Sequence, residues 1–410
     1  MKKNNTTSVS YASAVYGKQE INAVLKVLSN PKKIVAGDAV KEFEKKVSKL
    51  FGKKFGVMVN SGSSANLIAL EILDLPKGSE VITPILTFST TLSPIIQKGL
   101  IPVFVDVKEG EYLADISQIE QAITKKTKAL MIPSLLGNIP NMVKLFRLAK
   151  KHKLWLIEDS CDTIGATYNG KPTGNYSHMS TTSFYASHIV TAAGSGGMIC
   201  LNDKDLLRRA IVKSYWGRES TLFGAHEKSE DIKKRFASNS KIDGKIYDAK
   251  FIFSEVGYNF QPNEIAGAFG LEQLKSLPKF SKLRKKHFAH LQKFFKKYEQ
   301  YFVLPKQDKN SKTNWLAFPL TLKNSAPFSR NDITLYLEKN NIQTRPIFTG
   351  NVLKQPAYKN LKNIKTRKKG YPVANDIMKN GFVIGCHHGL VNKQLSYIEK
   401  TFTDFLRKYE

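Results

Sequence analysis

Cysteine is scarce in this chain: Cys161, Cys200 and Cys386 are the three in 410 residues, and they lie far apart. They form no CxxC pair and no disulfide framework, so a reducing, cytoplasmic setting is expected. Long apolar runs are missing too. None reaches the ~18 residues needed to span a bilayer, and no membrane insertion is expected. The N-terminal MKKNNTTSVSYASAVYG has lysines but no apolar stretch, so no secretory signal is expected either. Acidic residues are few, 34 against 64 Lys and Arg, which leaves a net charge of +30. Such a surplus admits a polyanionic partner. The lysines, however, are scattered as pairs (Lys45-Lys46, Lys150-Lys151, Lys285-Lys286, Lys368-Lys369), with no long run and no interleaved aromatics. The charge therefore reads as a solvated surface with some pull on a phosphorylated substrate, and no nucleic-acid partner is expected.

What is present reads as a folded enzyme, 41% hydrophobic and 10% aromatic. The length suggests two or three domains. Apolar spacing predicts helices over 19–28 and 40–51. Strand and helix then alternate: strands over 55–59, 81–82, 103–105, 129–133 and 154–157, with helices over 67–73, 89–97, 116–123 and 141–152. Wholly apolar strands in βα repeats predict a mainly parallel, buried sheet. Ligands of such sheets bind beyond the carboxyl ends of the strands. After a helix over 206–216, residues 217–252 are polar and irregular, a loop long enough to be functional or mobile. Two more helices are expected over 262–277 and 279–298, then a smaller α/β C-terminal unit. The expected division is 1–278, an N-terminal segment with the large domain, and 279–410, the small domain.

Four short motifs stand out, most of them at strand ends. Ser61-Gly62-Ser63-Ser64-Ala65 opens a helix and offers free N–H groups and hydroxyls to a phosphate, although such turns are also common helix caps. Glu158-Asp159 ends a buried strand, where a carboxylate can hold a protonated ring nitrogen, cap a helix or form an ion pair. Phe88 follows a strand end and can stack on a flat ring or pack in the core. Gly257-Tyr258-Asn259-Phe260 reads as a turn before a helix. A fifth stretch, Ser183 to Met198, breaks a strand at His188 and resumes through Gly194-Ser195-Gly196-Gly197.

Together these motifs resemble the DegT/DnrJ/StrS family of pyridoxal-phosphate sugar aminotransferases, from about Ser10 to the C-terminus. The resemblance implies an aspartate-aminotransferase-like (PLP-dependent transferase) α/β fold: a seven-stranded, mainly parallel sheet plus a small α/β C-terminal domain, in a homodimer with shared active sites. It implies that Gly62, Ser63 and Ser183 hold the cofactor phosphate, and that Asn259 reaches it from the partner subunit. It assigns Asp159 to the pyridinium nitrogen and Phe88 to the ring face. It places Asp162 near the cofactor's hydroxyl, where the family usually has Gln.

His188 departs from the family pattern, which has a lysine there. An imidazole cannot bind the cofactor covalently as an amine does, but it can act as a base near neutral pH. The same change marks a branch of the family, the 3-dehydratases of 3,6-dideoxyhexose biosynthesis. The chain resembles that branch also at Val59 to Leu67, at Tyr215-Trp216-Gly217-Arg218 and from Thr344-Arg345-Pro346 to Tyr358. The resemblance implies a PMP/PLP-dependent 3-dehydratase of a nucleotide-linked 4-keto-6-deoxyhexose in lipopolysaccharide biosynthesis. The alternatives are a nucleotide-sugar aminotransferase and a catalytically silent relative. One sub-branch carries a [2Fe–2S] cluster and needs a reductase; the other uses glutamate to regenerate its amine cofactor. Residues 218–226 contain no cysteine, and a cluster needs about four thiolates, so the cluster-free, glutamate-using form is expected. Arg218, Arg345 and His387-His388 are candidates for the nucleotide diphosphate or the sugar. Ser195 stands where the family usually has Glu, and the interval from His188 to Gly194 is one residue longer than expected.

Overall fold

Seven strands form the central sheet of the computed structural model, which describes residues 7–223 and 232–410. In chain order they are β1 (Phe55–Val59), β2 (Glu80–Pro84), β3 (Ile101–Val105), β4 (Thr127–Pro133), β5 (Trp155–Asp159), β6 (Met179–Ser183) and β7 (Gly197–Leu201). They lie side by side as β1-β7-β6-β5-β4-β2-β3. β7 runs antiparallel to β1 and β6, and every other pairing is parallel. The side chains of β2 and most of β4 and β5 are buried on both faces. This explains their unbroken apolar text, since helices cover both sides of the sheet. The connecting helices include Gly62–Glu71, Ser89–Gln97, Ile116–Ala122 and Met142–Lys151. Three of them begin under a side-chain cap, from Ser61, Asp115 and Asn141. The α/β fold expected from the sequence is the fold observed.

A second, antiparallel sheet serves the C-terminal part: β8 (Phe302–Val303), β9 (Phe318–Leu322), β10 (Thr344–Pro346) and β11 (Gly381–Ile384), in the order β8-β9-β11-β10. Helices Arg330–Lys339, Pro372–Asn380 and Asn392–Leu406 accompany it. The N-terminus joins this unit: Val9, fully buried, pairs in parallel with Ile342 through Val9 N to Asn341 O (2.8 Å) and Gln343 N to Val9 O (2.9 Å).

One helical expectation needs correction. Instead of separate helices on either side of Pro278, a single helix of 32 residues runs Glu264–Phe295, straight across the 278/279 boundary. Proline removes one backbone hydrogen bond and usually breaks a helix. Here Pro278 faces solvent, where the carbonyl it leaves unpaired can be hydrated, while Leu277 and Phe280 anchor both sides in the core. The stretch 217–252 is also less irregular than expected. It contains 3-10 turns at Glu219–Phe223 and Ala249–Phe251, a helical turn at Ile232–Arg235 and a small ladder of Lys241–Ile242 with Lys245–Ile246. Residues 224–231 of that stretch, with the Gly224-Ala225-His226 end of the cysteine-free segment, lie outside the described residues. No described helix is long and apolar enough to cross a membrane.

Candidate active site

The carboxyl ends of β4, β5 and β6 and the turn after β1 open on one cavity of about 390 Å3. Gly62, Ser63, Phe88, Asp159, Asp162, Ser183 and His188, drawn from distant stretches of sequence, all line it. Sheet topology alone brings them together, as expected for ligands at parallel strand ends.

The turn after β1 is built around close approach. Ser61 caps helix Gly62–Glu71 by accepting from Ser64 N (3.1 Å). A Cβ on Gly62 would sit 2.6 Å from Ser183 Cβ and 2.8 Å from Cys161 Sγ, so only glycine lets this helix start press against β6. Gly197 is equally constrained: a Cβ there would meet Ser61 O at 2.1 Å. The helix begins at the cavity wall with uncommitted N–H groups, and the Ser63 and Ser183 side chains stand beside it. Helix polarity and hydroxyls together suit a phosphate.

Asp159 and Glu158 divide along β5 as alternating strand residues must. Glu158 turns away and accepts from Ser160 Oγ (2.7 Å) and Ser180 Oγ (2.8 Å). Asp159 lines the cavity. Its Oδ2 accepts from Asn66 Nδ2 (2.8 Å) and Thr91 Oγ1 (2.7 Å), and its Oδ1 from Cys161 N (3.2 Å). No cation contacts it among the described residues. A buried carboxylate held by neutral donors, with no counter-ion, is suited to receive one from a ligand. Phe88, 50% exposed, caps the adjoining helix Ser89–Gln97 and meets Phe348 edge-on, ring centres 6.0 Å apart. Flat-ring face, carboxylate and helix start therefore fit the ring, ring nitrogen and phosphate of a pyridoxal-type cofactor.

Asp162 lies deeper in the wall. Leu136 N donates to its Oδ2 (2.8 Å), yet burial and the neighbouring Asp159 charge push its pKa up to about 7. Burial, Asp159 and Asp162 likewise hold the Cys161 thiol well above its usual range. His188 is half-buried against the cavity. Burial lowers its pKa to about 4; the Ser183 carbonyl opposes this and the buried Arg284 guanidinium adds to it. Its Nδ1 lies 3.3 Å from Ser183 O. The imidazole is therefore neutral near pH 7, with Nδ1–H donated to that carbonyl and the Nε2 lone pair free. No lysine lines the cavity among the described residues. Ser195 donates Oγ–H to Asn60 O (2.6 Å), tying the glycine-rich loop to the end of β1.

Other candidates fall elsewhere. Asn259 is exposed, does not line this cavity and pairs instead with Tyr215. Arg218 lies over Trp216, 4.4 Å from the ring centre, in a separate cavity of about 600 Å3. Arg345 lies over Tyr11 in a groove of about 680 Å3 that shares Phe88 and Phe348 with the main cavity. His387 and His388 belong to the core. His388 stacks on Phe280 (3.9 Å) and accepts from Arg284 Nε (3.1 Å), and His387 Nε2 sits 3.2 Å from the Ser10 hydroxyl. Both are packing partners in this structure and neither lines the cavity. Sequence reasoning gave no role to Asn66, Thr91, Tyr185 or Phe348. Thr91 carries no motif, while Asn66 sits inside the Val59 to Leu67 stretch and Phe348 inside the Thr344 to Tyr358 stretch.

Comparison with known proteins places the chain among relatives of the same fold. The Salmonella typhimurium lipopolysaccharide biosynthesis protein RfbH is 37% identical over 374 residues, 88% of this chain and 84% of that protein. The dTDP-4-dehydro-2,6-dideoxy-D-glucose 3-dehydratase of Saccharopolyspora spinosa is 34% identical over 387 residues, 92% of this chain and 82% of its own. A solved structure of the Escherichia coli GDP-4-keto-6-deoxy-D-mannose-3-dehydratase with bound hydrated PLP matches with a TM-score of 0.86 at 29% identity, covering 96% of this chain and 100% of that one. The family model for DegT/DnrJ/EryC1/StrS aminotransferases matches residues 15–403, and the chain belongs to that family.

Proposed function

We propose that this protein is a pyridoxamine/pyridoxal-phosphate-dependent 3-dehydratase of a nucleotide-linked 4-keto-6-deoxyhexose, serving 3,6-dideoxyhexose and lipopolysaccharide biosynthesis. The observation that carries the proposal is the His188 imidazole, held through Nδ1 on Ser183 O, in a cavity that no lysine lines among the described residues. The cofactor, when bound, supplies an amine and an electron sink.

The chain's own residues supply position and one proton carrier. The start of helix Gly62–Glu71, with Ser63 and Ser183, holds the phosphate, Asp159 the ring nitrogen and Phe88 one ring face. His188 takes up and returns a proton at Nε2, because Nδ1 is committed to Ser183 O. Asp162 offers a carboxyl hydrogen near neutral pH. Arg345 receives the substrate's diphosphate from the adjoining groove. Asn259 and Arg218 serve the neighbouring site in a homodimer. In support, Asn259 is exposed away from its own cavity, and Ile232, Phe236, Tyr247, Phe251, Phe253 and Val256 leave apolar surface open nearby. Cys200 and Cys386 are buried in separate packed clusters, which favours a cluster-free reaction with glutamate restoring the amine cofactor.

The test is incubation of purified protein with pyridoxamine phosphate, glutamate and GDP- or CDP-4-keto-6-deoxy sugar, with products weighed by mass spectrometry. Loss of the C-3 hydroxyl oxygen is expected. Gain of nitrogen by the sugar would transfer the assignment to an aminotransferase, and no turnover of either sugar to a silent relative.

A further inference from the structure

The hydrogen bonds behind Asp159 form a directed chain. Thr181 Oγ1 donates to Asn66 Oδ1 at 2.6 Å. The Asp159 carboxylate and the Thr90 carbonyl can only accept, so the amide nitrogen faces them: Asn66 Nδ2 donates to Asp159 Oδ2 at 2.8 Å, with Thr90 O also within reach at 3.3 Å. Thr91 Oγ1 donates to the same carboxylate oxygen at 2.7 Å. Asn66, Thr91 and Thr181 are 2%, 1% and 0% exposed, so water cannot replace any of these donors. They sit on three different elements, helix Gly62–Glu71, helix Ser89–Gln97 and β6.

Placement on those helices matters as much as the bonds. Asn66 stands one helical turn after Gly62, about 6 Å along the axis. One rigid helix thus carries the phosphate-holding start and, a turn later, the clamp on the carboxylate meant for the ring nitrogen. The second helix carries Phe88 at its cap and Thr91 in its first turn. The contact that orients the carboxylate and the ring that covers the cofactor's face therefore come from one element.

We propose that Asn66 and Thr91 are positioning residues that set the spacing and orientation of Asp159 relative to the phosphate cradle, and so select a ligand with a basic ring nitrogen at that distance from its phosphate. Two donors hold Oδ2 without a protein cation and leave Oδ1, which accepts the longer Cys161 N contact, to meet the ring nitrogen. This inference rests on the cofactor assigned under the proposed function.

The experiment compares binding of pyridoxal phosphate and its 1-deaza analogue, which lacks the ring nitrogen, to the apoprotein by absorbance titration. Wild type, Thr91→Val, Thr91→Ser and Asn66→Leu are measured, with thermal unfolding of each apoprotein alongside. Wild type should prefer pyridoxal phosphate. Thr91→Val should lose about tenfold of that preference, Asn66→Leu more, and Thr91→Ser should retain it. Equal weakening of both compounds in Thr91→Val and Asn66→Leu would mean a merely structural role and overturn the inference. So would a preference left at the wild-type value in both. A wild type that binds pyridoxal phosphate without preferring it overturns the role given to Asp159, and one that binds neither compound overturns the cofactor assignment as well.

Discussion

His188 Nδ1 faces the carbonyl oxygen of Ser183, five residues earlier, at 3.3 Å. The chain turns back on itself there, with His188 N donating to Tyr185 O (3.0 Å). The end of β6 thereby fixes both the position of the ring and its tautomer. His188→Asn keeps a planar, hydrogen-bonding side chain but cannot carry the proton. Its dehydration rate should fall about 10²–10⁴-fold, measured as kcat with pyridoxamine phosphate supplied in excess. His188→Lys should end dehydration and yield a borohydride-fixed pyridoxyl adduct at position 188 by peptide mass mapping. A wild-type protein that itself gives such an adduct would mean that another amine reaches the cavity.

Asp162 should make stability depend on pH. Its folded pKa of about 7 lies above the unfolded value near 4, so the folded state binds the extra proton. The stabilisation is complete below about pH 4 and is lost as pH rises towards and through 7. Asp162→Asn keeps an acceptor for Leu136 N and removes the titration. In urea unfolding at pH 5 and pH 8, the variant should lose less stability than wild type between the two values, by about 1–3 kcal/mol. Equal losses would show that Asp162 is already ionised when folded.

Gly62→Ala should weaken the site from the inside. The new methyl would lie 2.6 Å from Ser183 Cβ, so the helix start and β6 must separate. A cost of about 1–3 kcal/mol in apoprotein stability is expected, together with weaker phosphate-ester binding. Thermal unfolding and titration with pyridoxal phosphate both report on it, and an unchanged protein would show that the contact relaxes freely.

Glu264 offers a test of the fold away from the cavity. Its carboxylate accepts from Gly37 N (2.6 Å), Ala39 N (2.8 Å) and Val40 N (3.3 Å), capping helix Asp38–Leu50 from the start of the long helix. Glu264→Ala leaves these donors, one buried and two part-buried, without their acceptor and should cost about 1–3 kcal/mol in urea unfolding. Glu264→Gln should recover part of that, and equal losses in both variants would place the cost in packing.

Strand and helix order through the large sheet was legible because apolar runs and capping residues there act locally, as at Phe55–Val59 and Ser89–Gln97. The motif residues of the cavity were legible because strand ends gather ligand-holding side chains. What stayed hidden depends on tertiary context. Pro278 marks a break in any single-sequence reading, and only its exposure between two buried anchors lets the helix continue. His387 and His388 look like ligands in sequence and become packing partners only when Arg284 is buried beneath them. Thr91 lies in an apolar helix text, and nothing in that text indicates that its hydroxyl meets Asp159.

The pairing of Val9 with Ile342 has a consequence for how the protein is made. Val9 is made long before Ile342, so this pair can close only once the intervening chain has been synthesised. The C-terminal sheet must exist before the N-terminus can settle on it. Closing this pair, which spans most of the sequence, is therefore a late step of folding.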